Sequence, residues 1–233
     1  MIKKLSIIIP CYNEEDTILQ VVDKIKHVPL NLEKEIIIVC DGSSDGTKEL
    51  LQKHFPLQDK NIKTVFHEKN MGKGKAVKTG IEVATGDYLI VQDADLELNP
   101  DDYIALLQPI QSGNATVVFG SRKAKGFKKL YFHSVFANFV VTFLTNFLYG
   151  SKLTDQACGY KILPVSLFKS LDLESFGFEF CSELTAKILR TKKYIISEVD
   201  VDYFPRTYKQ GKKISWKDGF IAIWTLLKYK ITK

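Results

Sequence analysis

Asp93-Ala94-Asp95 places two carboxylates at i and i+2 directly after the apolar run 87–92 (DYLIVQ). Hard divalent cations take oxygen ligands, often only one or two protein carboxylates completed by substrate phosphates. The pair therefore reads as a Mg²⁺ or Mn²⁺ site for a phosphate-bearing substrate, with Glu97 as a candidate third oxygen. A lone Asp-x-Asp is also an ordinary surface turn, so its neighbours decide. Tyr12-Asn13-Glu14 follows the apolar run 5–10, Asp41-Gly42-Ser43-Ser44-Asp45 follows 35–40, and Asn70-Met71-Gly72-Lys73-Gly74 follows the run at 62–66. Asp41 is placed to meet a nucleobase or ribose, or equally to cap a turn through an Asx hydrogen bond. Gly72-Lys73-Gly74-Lys75 is not a GxxxxGK phosphate loop, and no GxGxxG follows the first apolar run, which argues against an ATPase and a nicotinamide dehydrogenase.

These clusters need a scaffold that brings them to one edge. Residues 5–10 (LSIIIP) and 35–40 (EIIIVC) are short β-branched runs of the kind buried on both faces of a parallel sheet. Ile18, Val21, Val22 and Ile25 have helical spacing within 14–27. Strand, helix and strand in about 40 residues form a βαβ unit. Ser44-Asp45 predicts a capped helix over 46–54, followed by a strand at 62–66, a helix over 73–84 and a strand at 87–92. The first hundred residues thus read as a doubly wound α/β sheet, in which ligands lie at the carboxyl ends of the strands. All four polar clusters fall there.

The chain has 233 residues, 45% of them apolar, enough for one domain with a sizeable core. Its net charge of +6 is unevenly spread. Residues 1–121 carry 13 Lys+Arg against 18 Asp+Glu, and residues 122–233 carry 20 against 9. A basic second half suits phosphate groups, an anionic membrane or nucleic acid, but no helix-turn-helix, RNA-recognition or zinc motif supports the last. Cys11, Cys40, Cys158 and Cys181 lack metal-ligand spacing, and Cys11 and Cys40, at the ends of apolar runs, read as reduced, buried thiols, which favours a reducing compartment. Met1-Ile2-Lys3-Lys4 leads straight into a strand-like run, without a signal-peptide pattern.

The series IIIPCYNEE, IIIVCDGSSDGT, NMGKGKA and TGDYLIVQDADLELNP resembles inverting family 2 glycosyltransferases with the GT-A fold. Further on, GSR at 120–122, TDQACGYK at 154–161 and RTYKQGKK at 206–213 resemble the branch that makes polyprenyl-phosphate sugars, such as dolichyl-phosphate mannose and glucose synthases. The resemblance spans residues 5 to about 213. It implies that Pro10, Tyr12, Glu14, Val39 and Asp41 embrace the base and ribose of a nucleotide sugar, and that Asp93, Ala94, Asp95 and Glu97 hold metal and diphosphate. Family members often have Gln at the position of Glu97. Arg122 would face the acceptor phosphate or donor sugar, and Arg206 and Lys212 would close on the phosphates from a C-terminal loop. Lys213 is the neighbour able to replace Lys212, because the loop reads GKK where the synthases usually read ESK. Apart from the resemblance, Arg206 and Lys212 read as a solvated basic loop. Arg and Lys clamps with a metal are nevertheless what a diphosphate leaving group and an anionic acceptor need. Asp155 would lie at the reaction centre, and because a phosphate acceptor is already ionised, it is expected to position rather than to abstract a proton. A structural hydrogen bond to the Gly159 turn is the competing reading.

From residue 130 to 151 there is no Asp, Glu, Lys or Arg, a length that would span a bilayer. Ser134, Asn138, Thr142 and Thr145/Asn146 form a polar stripe, however, and Lys123, Lys125, Lys128, Lys129 and Lys152 flank the run. This pattern fits a helix over 131–149 lying in a membrane interface or lipid groove, ahead of a buried core or subunit contact and well ahead of a true span. The basic amphipathic helix over 216–233, with Trp and Tyr among lysines, is a second interfacial candidate; ordinary docking onto the domain or another subunit is the alternative.

The expected protein is a single GT-A-like α/β domain over 1–233 with a mixed, largely parallel sheet. The expected reaction moves a hexose, with Mg²⁺ or Mn²⁺, from a nucleotide sugar of the GDP-mannose or UDP-glucose type to a polyprenyl phosphate such as dolichyl or undecaprenyl phosphate. Asp95, Arg122, Asp155, Arg206 and Lys212 are its expected catalytic residues, and peripheral association with the cytoplasmic face of a membrane, with or without a membrane-protein partner, its location. The alternatives are a family 2 enzyme acting on a glycan or other hydroxyl, and a silent nucleotide-sugar-binding subunit of a membrane complex.

Overall fold

The computed structural model describes residues 2–55, 61–123, 132–206, 213 and 216–232. Expected features at Lys125, Lys128, Lys129 and Lys212 lie outside them. The first half alternates strand and helix as its hydrophobic periods demand: β1 (Lys4–Cys11), α1 (Ile18–His27), β2 (Glu33–Asp41), α2 (Thr47–His54), β3 (Ile62–His67), α3 (Lys73–Val83) and β4 (Tyr88–Val91). There follow α4 (Tyr103–Gln111), β5 (Val117–Ser121), α5 (Phe132–Tyr149), β6 (Lys161–Pro164), α6 (Val165–Ser170), α7 (Phe180–Thr191), β7 (Ile196–Asp200) and α8 (Trp216–Ile231). One element starts later than its sequence period suggests. α1 opens at Ile18 rather than residue 14, because the Glu14 carbonyl is already accepting from the Thr17 and Ile18 N–H groups in a turn.

The seven strands form one sheet in the order β3-β2-β1-β4-β6-β5-β7. β1 pairs in parallel with both β2 and β4, β2 with β3, and β5 with β7, while β6 is antiparallel to both of its neighbours. The sheet is therefore mixed but largely parallel, as its sequence predicts. Alternation sorts the apolar residues of β1 onto two faces. Ile7 and Ile9 join a core under α1, α2 and α4, and Ile8 joins a second core under α3, α6 and α7.

From β1 the chain winds outward through β2 to β3, then returns to place β4 on the other side of β1. The strand order reverses between β1 and β4, and such a reversal opens a crevice beyond the strands' carboxyl ends. Tyr12-Asn13-Glu14 leaves one lip of it and Asp93-Ala94-Asp95 the other.

Outside α7 lies a third, smaller apolar cluster of Val141, Tyr149, Ala186, Leu226 and Tyr229, which fastens α5 and α8 to the domain. No helix among the described residues is long and apolar enough to cross a membrane.

Candidate active site

The crevice is built from loops that hold one another. The Asp41 carboxylate accepts from the Met71 and Gly72 N–H groups at 3.0 and 2.8 Å and lies 2.6 Å from His67 Nδ1. It is thus turned into the 67–72 loop, the capping role left open by its sequence position, and is only 2% exposed. Gly72, at φ +95°, is required by the same closure, since a Cβ there would sit 2.3 Å from the Phe176 carbonyl oxygen. The loop ends at α3, whose first residue, Lys73, sends its ammonium onto the Asp93 carboxylate. Burial alone would lower the Lys73 pKa, but the Asp93 charge wins and raises it, so this lysine is a fixed cation.

After β4, the backbone at Leu96 turns through φ +60°, and the Glu97 N–H donates to Asp95 Oδ1 at 3.1 Å. That turn packs Asp93, Asp95 and Glu97 together. Burial, aided by Asp93 and Glu97 and opposed by Arg206, pushes the Asp95 carboxyl up to about 7. Asp93, Asp95, Glu97 and Glu14 meet three cations here, Lys73, Arg206 and Lys213, so the edge keeps one negative charge in excess, a condition that a divalent cation at the two aspartates fits.

Glu97 is engaged elsewhere. Tyr203 Oη donates to its Oε2 at 2.6 Å and the Arg206 N–H to its Oε1 at 2.7 Å. Among the described residues no group of three or more His, Cys, Asp or Glu is arranged to hold a metal ion. Both Glu97 oxygens here fasten the C-terminal segment.

That segment lies over the crevice. The Arg206 guanidinium donates to both Glu14 oxygens at 3.0 and 3.1 Å and to Asp95 Oδ2 at 3.1 Å. Its Nε–H is buried and has no partner among the described residues. Lys213 reaches Glu14 Oε1 at 2.7 Å and the Tyr12 carbonyl, with its ammonium 5.6 Å from the Tyr12 ring. Of the two lysines proposed for this loop, Lys213 makes the contact; Lys212 lies outside the described residues. Val39 is buried in the second core and Ala94 in the first, so only their backbones remain for a ligand, while Pro10 is partly exposed beside them.

Arg122, at the end of β5, forms the other wall. Its Nε and one terminal nitrogen donate to the two Asp155 oxygens at 2.7 and 2.8 Å, and its own N–H adds a third bond at 2.9 Å. Burial would raise the Asp155 pKa, but Arg122 prevails and holds this carboxylate below the usual range. An ionised acid already committed to a guanidinium is a poor proton acceptor. Asp155 bonds Arg122 and not the Gly159 turn. Its loop is held by Glu198, which accepts from the Thr154 and Asp155 N–H groups, and by α5, where Thr142 Oγ1 and Asn138 Oδ1 accept from the Gln156 and Ala157 N–H groups.

Tyr203 joins the two walls. Its ring lies 5.0 Å from the Arg122 guanidinium carbon while its hydroxyl holds Glu97. Tyr203, Lys73 and Glu198 were not singled out as site residues in the sequence. Lys73 had a visible signal, being the first cation of the NMGKGKA cluster; Tyr203 and Glu198 had none beyond lying near Arg206 and on a late strand.

A glycosyl transferase family 2 sequence model matches residues 6–172. The chain is 31% identical to the UDP-N-acetylglucosamine–dolichyl-phosphate N-acetylglucosaminyltransferase of Methanococcus voltae, over 99% of this chain and 98% of the other. It is 25% identical to the dodecaprenyl-phosphate galacturonate synthase of Rhizobium johnstonii, over 90% of this chain and 61% of that one. Among solved structures, glucosyl-3-phosphoglycerate synthase from Mycobacterium tuberculosis, in complex with Mn²⁺, uridine diphosphate and phosphoglyceric acid, superposes with a TM-score of 0.72. It covers 99% of this chain and 80% of its own at 20% identity, a likeness of fold.

Proposed function

The chain belongs to glycosyl transferase family 2, and on that premise we propose that it transfers a sugar from a nucleoside diphosphate to a polyprenyl phosphate at a membrane surface, with inversion. The observation that carries this reading is the pairing of an under-neutralised Asp93-Asp95 edge with a guanidinium clamp, Arg122–Asp155, across the same crevice. The two relatives named above for polyprenyl phosphates support the acceptor class. The donor sugar is a hexose or an N-acetylhexosamine.

Each residue then has a task. Asp93 and Asp95 would hold Mg²⁺ or Mn²⁺, which when bound would neutralise the diphosphate and make it a better leaving group. Glu97 serves as the latch for the C-terminal segment rather than as a ligand. Lys73 and Arg206, each tied to one of the two aspartates in the free protein, turn to phosphate oxygens when a diphosphate arrives, and the Arg206 Nε–H, without a partner among the described residues, is a donor ready for one. Lys213 closes over Tyr12 and the base. Arg122, oriented by Asp155 and stacked on Tyr203, holds the acceptor phosphate so that one oxygen points at the anomeric carbon. That oxygen is already anionic at neutral pH, so the reaction requires positioning and charge neutralisation rather than a base.

The test is transfer from a panel of radiolabelled nucleotide sugars to detergent-solubilised polyprenyl phosphate, with Mn²⁺ or with EDTA. Label entering the organic phase only with metal is the expected result and names the sugar. Metal-dependent donor hydrolysis without lipid labelling moves the acceptor to a hydroxyl, and no donor turnover leaves a silent nucleotide-sugar-binding subunit.

A further inference from the structure

Gln92, the residue between β4 and the Asp93-Ala94-Asp95 turn, is fully buried, and its partners Tyr103, Tyr160 and Leu98 belong to the first apolar core. Its side-chain nitrogen donates to the Asp93 carbonyl at 3.0 Å and to the Leu98 carbonyl at 3.4 Å. Its side-chain oxygen accepts from the Tyr103 and Tyr160 hydroxyls, each at 2.6 Å. Carbonyls only accept, so the amide has one possible orientation, and in it both N–H donors and both oxygen lone pairs are used. The two tyrosines meet edge to face, with ring centroids 5.7 Å apart. They come from different parts of the chain: Tyr103 opens α4, and Tyr160 ends the loop that begins at Thr154-Asp155. Gly159, next to Tyr160, lies so close to the turn that a Cβ there would be 3.1 Å from Asp93 Oδ2.

A polar side chain in that place needs a reason. A methionine of similar size would pack there with no partner to find, and a satisfied buried amide adds only modestly to stability, since its bonds replace bonds to water. What four directed bonds add is a single geometry. Those to the Asp93 and Leu98 carbonyls tie together the two ends of the 93–98 turn, which carries Asp95 and Glu97 and holds Leu96 at φ +60°. We propose that Gln92 is a positioning residue for the divalent cation. Its amide fixes the 93–98 turn so that the Asp93 and Asp95 carboxylates are presented together, and the Tyr160 bond sets that turn against the loop of the Arg122–Asp155 clamp. This deepens the reading given above and rests on its metal at the two aspartates. Gln92 itself touches neither metal nor substrate and acts through the Asp93 backbone. Groups that orient metal ligands from behind are worth about ten- to a hundredfold in metal affinity.

The probe is Mn²⁺, titrated into the full chain in the presence of UDP and, separately, of GDP, with the unbound ion read by its electron paramagnetic resonance signal. Gln92→Met keeps the length of the side chain and loses all four bonds, and it should bind Mn²⁺ at least about tenfold more weakly than the parent. It also leaves two buried hydroxyls without their acceptor, so its melting temperature should fall. The triple variant Q92M/Y103F/Y160F removes those hydroxyls too. It should melt above Q92M and yet bind Mn²⁺ as weakly. An amide with a merely structural role gives a different result, in which affinity returns together with stability, and that outcome overturns the proposal. So does a Q92M chain whose Mn²⁺ affinity stays within about twofold of the parent's. If Q92M does not fold, the triple variant decides alone, and parent-like affinity in it overturns the proposal. A parent chain that binds Mn²⁺ with neither nucleotide overturns the metal at Asp93 and Asp95 and this inference together, whereas a parent and a Q92M chain that bind equally well remove only the role of Gln92.

Discussion

At the amino-terminal end of the sheet Glu35 is buried, and at the carboxyl-terminal end Asp95 is partly buried, yet their pKa values move in opposite directions. Around Glu35, burial would raise the pKa, but Lys63, the Ser6 hydroxyl and both polar groups of Thr85 donate to the carboxylate and bring it to about 2. Around Asp95, burial is reinforced by Asp93 and Glu97, and Arg206 only partly offsets them, leaving it near 7. One end satisfies its buried charge from within the fold. The other is left short of positive charge, which is the condition the proposed divalent cation would relieve.

The largest effect should come from removing that surplus. Asp93→Asn and Asp95→Asn are each expected to lower sugar transfer by at least about a thousandfold, the scale of losing a charge that stabilises the transition state. Asp95→Asn should not lower the melting temperature in EDTA, because it removes a like-charge repulsion while Arg206 keeps Glu14, whereas Asp93→Asn also takes the partner of Lys73 and should cost some stability. The measurement is product formation beside a thermal melt on the same preparations. An active Asp95→Asn enzyme would sink the metal assignment, and a variant that unfolds would make the upper end structural like the lower one.

On the opposite wall the charges are balanced, and there the coupling of partners is the informative quantity. Arg122→Lys keeps the charge but loses the two-pronged grip on Asp155, so kcat is expected to fall about a hundredfold. Asp155→Asn leaves Arg122 without its anchor and should cost a similar factor. The double variant should be scarcely worse than either single one, since residues that act as a unit are not additive. If the two losses multiply instead, Asp155 does chemistry of its own and the proton-abstraction role returns.

The contrast also marks how far the residues announce themselves. The β-branched runs at β1 and β2 and the Ile18–Ile25 period suffice for a parallel sheet, because a strand buried on both faces has few other homes. The antiparallel insertion of β6 is not visible, since Lys161–Pro164 is four residues long and contains a buried lysine held by the Gln156 and Cys158 carbonyls. In the site, Asp93 and Asp95 stand out because they follow a strand. Glu97 and Asp41 carry the same chemistry in the sequence, yet the fold turns them to Tyr203 and Arg206 and to the 67–72 loop, partners 106 or more and up to 31 residues away respectively. Tertiary pairing of that range leaves no local pattern. The polar stripe of α5 is legible as a stripe; which side of it faces the protein depends on the 151–157 loop it bonds.

The smallest effect belongs to the balanced end, and it is the one that separates stability from function. Glu35→Gln removes a charged acceptor from the Lys63, Ser6 and Thr85 donors, and about 2 kcal/mol of stability should go with it, several degrees in the melt of a chain this size. Activity per folded molecule should stay within about twofold, because no contact of Glu35 reaches the crevice. The pH dependence carries the sign. Glu35 has a folded pKa of about 2, below its unfolded value near 4, so its contribution is present above about pH 4 and is lost as pH falls through 2. Asp95, raised to about 7 in metal-free protein, works the other way: the native state holds its proton longer than the unfolded one, so stability declines as pH rises from about 4 through 7. Melts in EDTA across that range should therefore show Glu35→Gln approaching the parent at the acid end and Asp95→Asn exceeding it at the alkaline end. Saturating Mn²⁺ should erase the second difference by supplying the positive charge that the fold leaves out, and should leave the first untouched.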